Sequence, residues 1–244
     1  MTRIFADLHL RINPKDQQTA ERLIRKAAQM GYHYISIPFT QGIQEKELTA
    51  LKAICTQAGL DFVLRADFKP RTQEDLMHFL RKFRRKFELI CIICDSKEIA
   101  RQAAKDRRVD LLNFPSLDYR KRFFDRAEAE LACNSLAAIE VDIKPLIVIE
   151  GPPRVRLLST LRREMAIALE FHVPVVISSG VDVEALMRKP RDLASLGYLF
   201  GLNEAHALDA VSTNASKIVL RNREKLSSRF VAPGITIIRE GKSV

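Results

Sequence analysis

The sequence predicts an α/β protein, a single TIM-like (β/α) barrel over residues 1–244 that is irregular in its last unit. Apolar runs of strand length alternate from end to end with segments in which apolar residues recur at helical spacing. Such alternation implies a parallel sheet with helices outside it. About seven of these units fit a barrel better than an open sheet. No repeat or linker divides the chain, and a short C-terminal tail is expected from about residue 228.

The strands are predicted from apolar runs that turn residues bound. They cover residues 3–11, 34–38, 61–66, 88–94, 109–112, 137–142 and 174–178. The run Leu146–Ile149 fits either a further strand or a connection. The tail segment Ile235–Ile238 could add one short strand.

The helices are predicted from apolar positions three or four residues apart. They cover about residues 20–30, 45–58, 72–87, 97–105, 118–133 and 151–169, and a helical region without a clear strand runs from 182 to 226. Thr72 followed by Asp75 predicts a helix-opening cap. We expect the 118–133 helix to pack through Phe123, Ala127 and Leu131. The following helix should pack through Val155, Leu158, Leu161, Met165 and Leu169.

The charge balance favours a polyanionic partner. The chain has 40 Lys plus Arg against 30 Asp plus Glu, a formal net charge of +10. Such an excess favours nucleic acid, because each neutralised phosphate releases counterions. No apolar run approaches the roughly 18 residues of a membrane span, and the sequence begins directly with a strand pattern. We therefore predict a cytoplasmic protein without a membrane partner.

The four cysteines predict neither a disulfide framework nor a metal site. Cys91 and Cys94 have the spacing of a zinc knuckle, but they lie in an apolar run that reads as a buried strand. Residues three apart on a strand face opposite sides. Core thiols are the expected outcome, together with Cys55 and Cys133.

Candidate chemistry gathers at the predicted carboxyl ends of the strands, where α/β barrels build their sites. Asp7 and His9 lie two residues apart and therefore share a face of the first strand. They could bind one ion, or they could form a hydrogen-bonded pair that holds the barrel mouth. The pair is the favoured interpretation, because His9 is the one histidine at a strand end and metal hydrolysis needs several converging ligands.

Ser178 and Ser179 end the last strand and could be nucleophiles, but the sequence places no activating histidine or lysine near them. Backbone and hydroxyl groups around Gly180 could instead hold a phosphate or form a tight turn. The alternative enzyme hypothesis is a free-standing metal-dependent phosphoesterase that uses Asp7, His9, Asp67 and Glu140.

Several segments together resemble the family of RNase P protein component 3, the archaeal relatives of the eukaryotic thirty-kilodalton RNase P subunit. The resemblance covers nearly the whole chain. Its carriers are Phe5-Ala6-Asp7-Leu8-His9, Arg154-Val155-Arg156-Leu157-Leu158 leading into Leu161-Arg162-Arg163-Glu164, Val175-Val176-Ile177-Ser178-Ser179-Gly180, Arg188-Lys189-Pro190-Arg191-Asp192-Leu193 and Asn214-Ala215-Ser216-Lys217-Ile218-Val219.

That family is similar in turn to the polymerase-and-histidinol-phosphatase metal hydrolases, which have a TIM-like barrel. The hydrolases open with His-x-His and carry a late Ser-Asp-Ala-His. Here Arg11 stands where the second histidine would fall, and Ser179 and Val181 stand where the late ligands would fall. The resemblance therefore implies that no metal is bound by the protein. It also implies that Asp7, His9, Ser178 and Ser179 are the remnant of a hydrolase pocket.

The resemblance implies a noncatalytic subunit of ribonuclease P, the endoribonuclease that removes 5′ leaders from precursor tRNA. In the family the RNA catalyses hydrolysis with magnesium, and a second protein subunit pairs with component 3. The expected partners are thus RNase P RNA, precursor tRNA within the holoenzyme and another protein subunit. A scaffold that binds only proteins is a third hypothesis.

The RNA contacts are predicted among basic residues near strand ends and element starts. Phosphate and shape contacts are expected rather than base readout. For each residue a merely solvated charge is the alternative. The candidates are Arg11, Lys69, Arg71, Arg107, Arg108, Lys144, Arg154, Arg156, Arg188 and Arg191.

Overall fold

A computed structural model describes residues 3–13, 15–39, 45–115, 122–232 and 235–237. The strands are β1 (Ala6–Asp7), β2 (Tyr34–Phe39), β3 (Asp61–Phe68), β4 (Leu89–Ile93), β5 (Leu111–Asn113), β6 (Ala138–Asp142), β7 (Val175–Ser178), β8 (Phe230–Ala232) and β9 (Ile235–Thr236).

The helices follow the strands in alternation up to β7 and then follow one another. They are α1 (Gln17–Gln29), α2 (Glu45–Gln57), α3 (Gln73–Phe83), α4 (Lys97–Ala104), α5 (Arg126–Ser135), α6 (Lys144–Val148), α7 (Gly151–Glu170), α8 (Pro190–Leu196), α9 (Glu204–Ala210) and α10 (Thr213–Leu226). Two short 3-10 helices cover Glu184–Leu186 and Gly197–Phe200.

The main sheet runs β1 to β7 in sequence order, and every neighbouring pair is parallel. Its two ends meet beyond the strands. The Gly180 amide donates to the His9 carbonyl at 2.9 Å, and the Arg11 amide donates to the Val181 carbonyl at 2.8 Å. The predicted TIM-like barrel is confirmed. Its last unit is irregular, since the described residues after β7 add helices and no further strand to this sheet.

The barrel is held by an apolar interior and an apolar layer under the helices. Side chains such as Leu8, Val63 and Cys91 fill the interior, where they meet Ile218 and Val219 of α10. The outer faces of the strands pack against the helices in two larger clusters. Since successive strand residues alternate sides, each strand serves both layers.

Helix α10 covers the end of the barrel at which the strands begin. Arg223 forms ion pairs of 2.6 Å with Asp61, at the start of β3, and with Glu88, just before β4. The Asn222 amide donates to the Glu88 carbonyl at 2.8 Å. The strands' carboxyl ends therefore form the open mouth.

The predicted helix over 118–133 is placed too early. Its first residues, up to Lys121, lie outside the described residues, and 122–125 are not helical. Helix α5 begins at Arg126 because Asp125 caps it, accepting from the Glu128 amide at 2.9 Å. Its buried residues are Glu128, Ala129, Ala132 and Ser135, whereas Ala127 is exposed.

Four smaller findings concern single elements of the predicted fold. Helix α7 buries Leu157, whereas Val155 is 66% exposed. The open question about Leu146–Ile149 resolves as the short helix α6. The first strand is shorter than predicted, since regular pairing covers only Ala6 and Asp7. Ile235 belongs to a separate two-stranded antiparallel sheet of β8 and β9, and Ile238 lies outside the described residues.

No helix in the described ranges combines the length and the apolar character that crossing a membrane requires.

Candidate functional site at the barrel mouth

A cleft of about 310 Å³ opens at the carboxyl ends of the strands. It is where the sequence predicts the site. Polar side chains and a wall of aliphatic ones line it together: Arg11, Lys69, Ile93, Asn113, Pro115, Asp142, Lys144, Pro145, Val148 and Gly180. Below the cleft lies a network of buried charged groups.

Asp7 and His9 are both buried. One carboxylate oxygen of Asp7 accepts from the amides of His9 at 3.2 Å and Ser179 at 3.0 Å. The other oxygen has no hydrogen-bond partner among the described residues. Burial raises the pKa of Asp7, although the hydrogen bonds from Ser179 and His9 act in the opposite direction. Asp7 therefore ties β1 to the end of β7.

His9 lies between two carboxylates rather than beside Asp7. Its Nδ1 is 2.7 Å from Asp142 Oδ1, and its Nε2 is 3.3 Å from Asp67 Oδ2. Burial and the Arg65 guanidinium oppose protonation, but Asp142 and Asp67 outweigh them and raise the pKa of His9. The two flanking carboxylates thus favour the protonated imidazolium, whose Nδ1 is hydrogen-bonded to Asp142.

Arg65, in the middle of β3, is fully buried and holds the network together. Its guanidinium contacts both oxygens of Glu140, at 2.6 Å and 2.7 Å. It also donates to Asp67 at 2.5 Å and to the Leu8 carbonyl at 2.7 Å. Although burial opposes the charge, Asp67 and Glu140 raise the pKa of Arg65 well above its usual value.

Glu140 and Asp142 sit two residues apart on β6 and face the same side. The Asn113 amide donates to Glu140 at 2.9 Å, and the Ser178 hydroxyl donates to it at 2.7 Å. Burial would raise the pKa of both carboxyls. Arg65 outweighs it at Glu140, while His9 and Arg11 outweigh it at Asp142, so both pKa values are lowered.

One group in this network has the composition of a metal site. Ligand atoms of His9, Glu140 and Asp142 lie within 4.8 Å of one another. However, Arg65 binds both oxygens of Glu140, and Arg11 donates to Asp142 at 2.9 Å. The two guanidiniums and protonated His9 together carry three positive charges. These balance the three negative charges of Asp67, Glu140 and Asp142. A further cation would meet repulsion at contact distance, so the group does not fit a metal ion as arranged.

The two serines are engaged in holding the network. Ser178 donates its hydroxyl to Glu140, and Ser179 uses its amide to bind Asp7. The Ser179 hydroxyl lies 3.5 Å from the His9 carbonyl. Both side chains are buried. No histidine or lysine in the described ranges forms a hydrogen bond with either hydroxyl, and Arg65 holds the Glu140 carboxylate that accepts from Ser178.

Gly180 lets the end of β7 approach β6 closely. Its φ is +64°, in the left-handed region. A Cβ atom at this position would lie 2.9 Å from Cβ and Cγ of Asp142. The residue that follows the two serines must therefore be glycine for Asp142 to reach His9.

Three of the ten predicted RNA-contacting residues meet at the rim of the cleft. Arg11 follows β1 and pairs with Asp142, with its side chain 50% exposed. Lys69 follows β3 and contacts Asp95 at 2.7 Å. Lys144 follows β6 and contacts Asp182 at 2.6 Å. We call Arg11, Lys69 and Lys144 the rim cations.

The other predicted residues are spread over the surface. Arg71 is exposed between β3 and α3, and the Arg154 side chain donates to the Ile149 carbonyl at 2.6 Å. Arg156 and Arg191 are exposed on α7 and α8. Arg188 lies beside Tyr32, which donates to its carbonyl at 3.0 Å. Arg107 and Arg108 precede β5 and lie at the opposite end of the barrel from the mouth.

The cysteines occupy the core, as the strand pattern predicts. Cys91 faces the barrel interior, whereas Cys94 belongs to the layer under the helices. Both are free thiols, and burial raises the pKa of each well above its usual value. The Cys91–Cys94 spacing therefore does not bring two ligands to one point.

Sequence reasoning missed Arg65 as a member of the site. An arginine within the run Phe62-Val63-Leu64-Arg65-Ala66 reads as a solvated strand residue. The available signal was the period of two, which places Arg65 and Asp67 on the face of interior Val63. A buried guanidinium then requires a buried carboxylate, and Glu140 provides it.

The model of a protein family described as RNase P subunit p30 matches residues 4–227. The chain belongs to this family. Curated relatives named ribonuclease P protein component 3 include one from Methanosarcina barkeri, 28% identical over 97% of each chain. Another, from Methanosarcina acetivorans, is 30% identical over 69% of each. The family expected from the sequence motifs is confirmed.

Solved structures agree with the family assignment. A chain of an archaeal ribonuclease P, determined by cryo-electron microscopy with mature tRNA, is 25% identical and superimposes with a TM-score of 0.82. The match covers 98% of this chain and 100% of that one. A crystal structure of an uncharacterised protein, 12% identical with a TM-score of 0.58 over 91% of this chain, shares the fold alone.

Proposed function

We propose that the chain is a protein subunit of ribonuclease P, the endoribonuclease that removes 5′ leaders from precursor tRNA. The observation that carries this proposal is the end-to-end match to a chain of an archaeal ribonuclease P solved with mature tRNA. The matched family description and the curated relatives support it. Its partners are RNase P RNA, precursor tRNA within the holoenzyme and another protein subunit. A cytoplasmic location stays a prediction.

The chain assists the reaction and does not catalyse it. The catalyst is the RNA, which binds the magnesium, and the protein itself carries no cofactor. The ionic network supports this division of labour, because Arg65 engages both oxygens of Glu140 and contacts Asp67. Asp7, His9, Ser178 and Ser179 then act as structural supports of the mouth, the remnant of a pocket.

The rim cations are the part of the mouth that binds RNA phosphates. Arg11, Lys69 and Lys144 converge on one cleft from three different strands. Each rim cation is already paired with a carboxylate. An incoming phosphate therefore replaces that carboxylate as the anionic partner of the cation. Such contacts position an RNA without reading its sequence. Arg71, Arg154, Arg156, Arg188 and Arg191 remain predicted contacts, as do Arg107 and Arg108.

Reconstituted cleavage tests the proposal. Precursor tRNA is incubated with RNase P RNA and the remaining protein subunits, with and without this chain, over a series of magnesium concentrations. We expect the chain to raise the cleavage rate and to lower the magnesium requirement. A rate that is the same with and without the chain would contradict the subunit role.

A metal-dependent phosphoesterase is the second candidate, and one observation favours it. His9, Glu140 and Asp142 place three ligand atoms within 4.8 Å. This hypothesis predicts that the purified chain turns over a phosphate ester with manganese or zinc and that His9→Ala abolishes the activity. If the chain is instead a subunit whose rim cations bind RNA, we expect no such turnover. The His9→Ala variant should then still bind RNA.

A further inference from the structure

A second basic groove lies at the end of the barrel opposite the mouth. It has a volume of about 510 Å³ and runs between the start of β5, the end of α5 and the end of α10. We call it the amino-end groove. Its lining residues are Arg107, Asn134, Ser135, Leu136, Arg221, Glu224, Lys225 and Phe230.

The floor of the groove is organised by one buried carboxylate, that of Asp110. One oxygen accepts from Arg84 at 2.6 Å and from the Ile90 amide at 2.8 Å. The other accepts from Arg221 at 3.0 Å and from Asn222 at 2.8 Å. Four donors share the two oxygens of Asp110, so this carboxylate is fully engaged.

Two cations at the groove have no carboxylate partner within the part of the chain that the structure describes. Arg107 and Lys225 form no ion pair or side-chain hydrogen bond with any residue in the described ranges. Neighbouring Arg108, by contrast, is held by Asp106 at 2.7 Å. Among the described residues that line the groove there are three cations, Arg107, Arg221 and Lys225, and one carboxylate, that of Glu224. The groove therefore carries a local excess of positive charge.

The electrostatics of Lys225 are consistent with that excess. Partial burial and the nearby guanidiniums of Arg221, Arg84 and Arg107 lower the pKa of Lys225, although Asp110 acts in the opposite direction. Like charges held near each other destabilise one another unless an anion joins them. An anion in the groove would relieve this repulsion.

The groove also has a fixed shape and an apolar wall. The Arg221 guanidinium is held by the Leu136 carbonyl at 3.1 Å as well as by Asp110. Leu136 is 57% exposed, and half-buried Phe230 lines the same groove. Cations beside an aromatic ring suit a nucleotide, whose phosphate meets the charges while its base or sugar meets the ring.

We propose that the amino-end groove binds the phosphodiester backbone of an RNA through Arg107, Arg221 and Lys225. The inference rests on the proposed function, since it assigns a second RNA contact to the same subunit. The groove and the rim cations lie at opposite ends of the barrel, so the two sites contact separate stretches of the RNA. The chain thereby spans two parts of the folded RNA instead of touching it on one face.

Neutralising the two unpaired cations tests the inference. The variant Arg107→Gln with Lys225→Gln leaves Asp110 and its four donors in place, so no buried charge loses its partner. Binding of RNase P RNA by the complex of this chain with its partner subunit is measured over a salt series. Because each phosphate contact contributes about 0.7 to 0.9 to the log–log salt slope, we expect the slope to fall by about 1.5.

A matched variant controls for net charge. Lys46→Gln with Lys52→Gln also removes two positive charges, from the exposed surface of α2. We expect the salt slope of this control to equal that of the unaltered chain. Equal slopes for the groove variant and the control would overturn the inference.

Three further outcomes separate this inference from the proposed function. If replacing the rim cations Arg11, Lys69 and Lys144 with Gln weakens RNA binding and the groove variant does not, the subunit role stands and the second site is refuted. If the groove variant binds RNA normally but no longer associates with the partner subunit, the groove is a protein-binding surface and the inference is wrong. If the unaltered complex binds no RNA, both proposals fail.

Discussion

Arg65 and Glu140 form a two-point ion pair inside the barrel, with nitrogen–oxygen distances of 2.6 Å and 2.7 Å. Both side chains are fully buried. The pair links β3 to β6 across the interior. The Arg65 guanidinium occupies the Glu140 oxygens that would otherwise bind a metal ion. The mouth is therefore better suited to a structural role than to catalysis.

Arg65→Met should strongly destabilise the protein. The variant leaves Glu140 and Asp67 buried without their main counter-charge, and breaking such a buried pair costs about 3 to 5 kcal/mol. Urea unfolding followed by circular dichroism measures the loss. Arg25→Met is the control, because it breaks the exposed pair with Glu21, which contributes about 0.5 kcal/mol or less. A loss below about 1 kcal/mol for Arg65→Met would contradict the role given to this residue.

The stability of the protein should fall as the pH rises above the ordinary range of histidine. The folded pKa of His9 is raised, so its contribution is complete below the unfolded pKa of 6.5 and is lost as the pH passes the folded value. Between the two values the contribution of His9 to the unfolding free energy should fall by about 1.4 kcal/mol for each pH unit. Urea unfolding across this range gives the slope.

His9→Gln should remove the part of this pH dependence that His9 contributes, because glutamine has no proton to lose. The part that remains comes from Glu128, because burial raises the pKa of its carboxyl to about 8. Asp7→Asn is the control, since it leaves His9 and its two carboxylates in place and should retain the slope. Unaltered pH dependence in His9→Gln would show that another group titrates in this range.

Gly180→Ala should both strain the backbone and displace Asp142. An alanine in the left-handed region costs about 1 to 2 kcal/mol, and the added Cβ would lie 2.9 Å from the Asp142 side chain. Gly151→Ala is a matched control with a φ of +63° and no heavy atom within 4 Å of the added Cβ. We expect the thermal midpoint to fall further for Gly180→Ala. Equal shifts would mean that the contact with Asp142 does not matter.

Neutralising the rim cations should weaken RNA binding. Arg11→Gln, Lys69→Gln and Lys144→Gln together should lower the salt slope by about 2 to 3, since each lost phosphate contact removes about 0.7 to 0.9. The control replaces Arg25, Lys26 and Arg126 with Gln, three ion-paired cations on the outer helices. If both variants bind RNA with the same slope, the rim does not contact phosphate.

The barrel could be predicted because the spacing of apolar residues in a strand or a helix is visible within a short stretch of sequence. Residues 34–39 and 89–93 alternate or run apolar as strands do, and helix α1 buries the predicted Ala20, Leu23, Ile24 and Ala27. The start of α5 could not be read in this way. Arg122 precedes it with a buried ion pair to Glu164, a tertiary contact between residues 42 apart that leaves no local pattern.

The site could be predicted only in outline. The strand pattern predicts that Arg11, Lys69 and Lys144 follow three strand ends, and in the structure all three line one cleft, because parallel strands bring their carboxyl ends together. Sequence alone could not show that His9 pairs with Asp142 rather than with Asp7, nor that Glu140 is the partner of Arg65. Both depend on which residues of distant strands face each other. The placement of the RNA contacts and the single-domain boundary 1–244 stay predictions.

The central claim is that this subunit assists the RNA and does not itself catalyse the cleavage. Single-turnover cleavage of precursor tRNA tests this claim most directly. Reconstituted ribonuclease P is prepared with the unaltered chain, with His9→Gln and with the triple rim variant. At saturating magnesium we predict an unchanged cleavage rate for His9→Gln and a reduced rate for the rim variant that low salt restores. A rate that collapses with His9→Gln while the protein stays folded and bound to RNA would contradict the account.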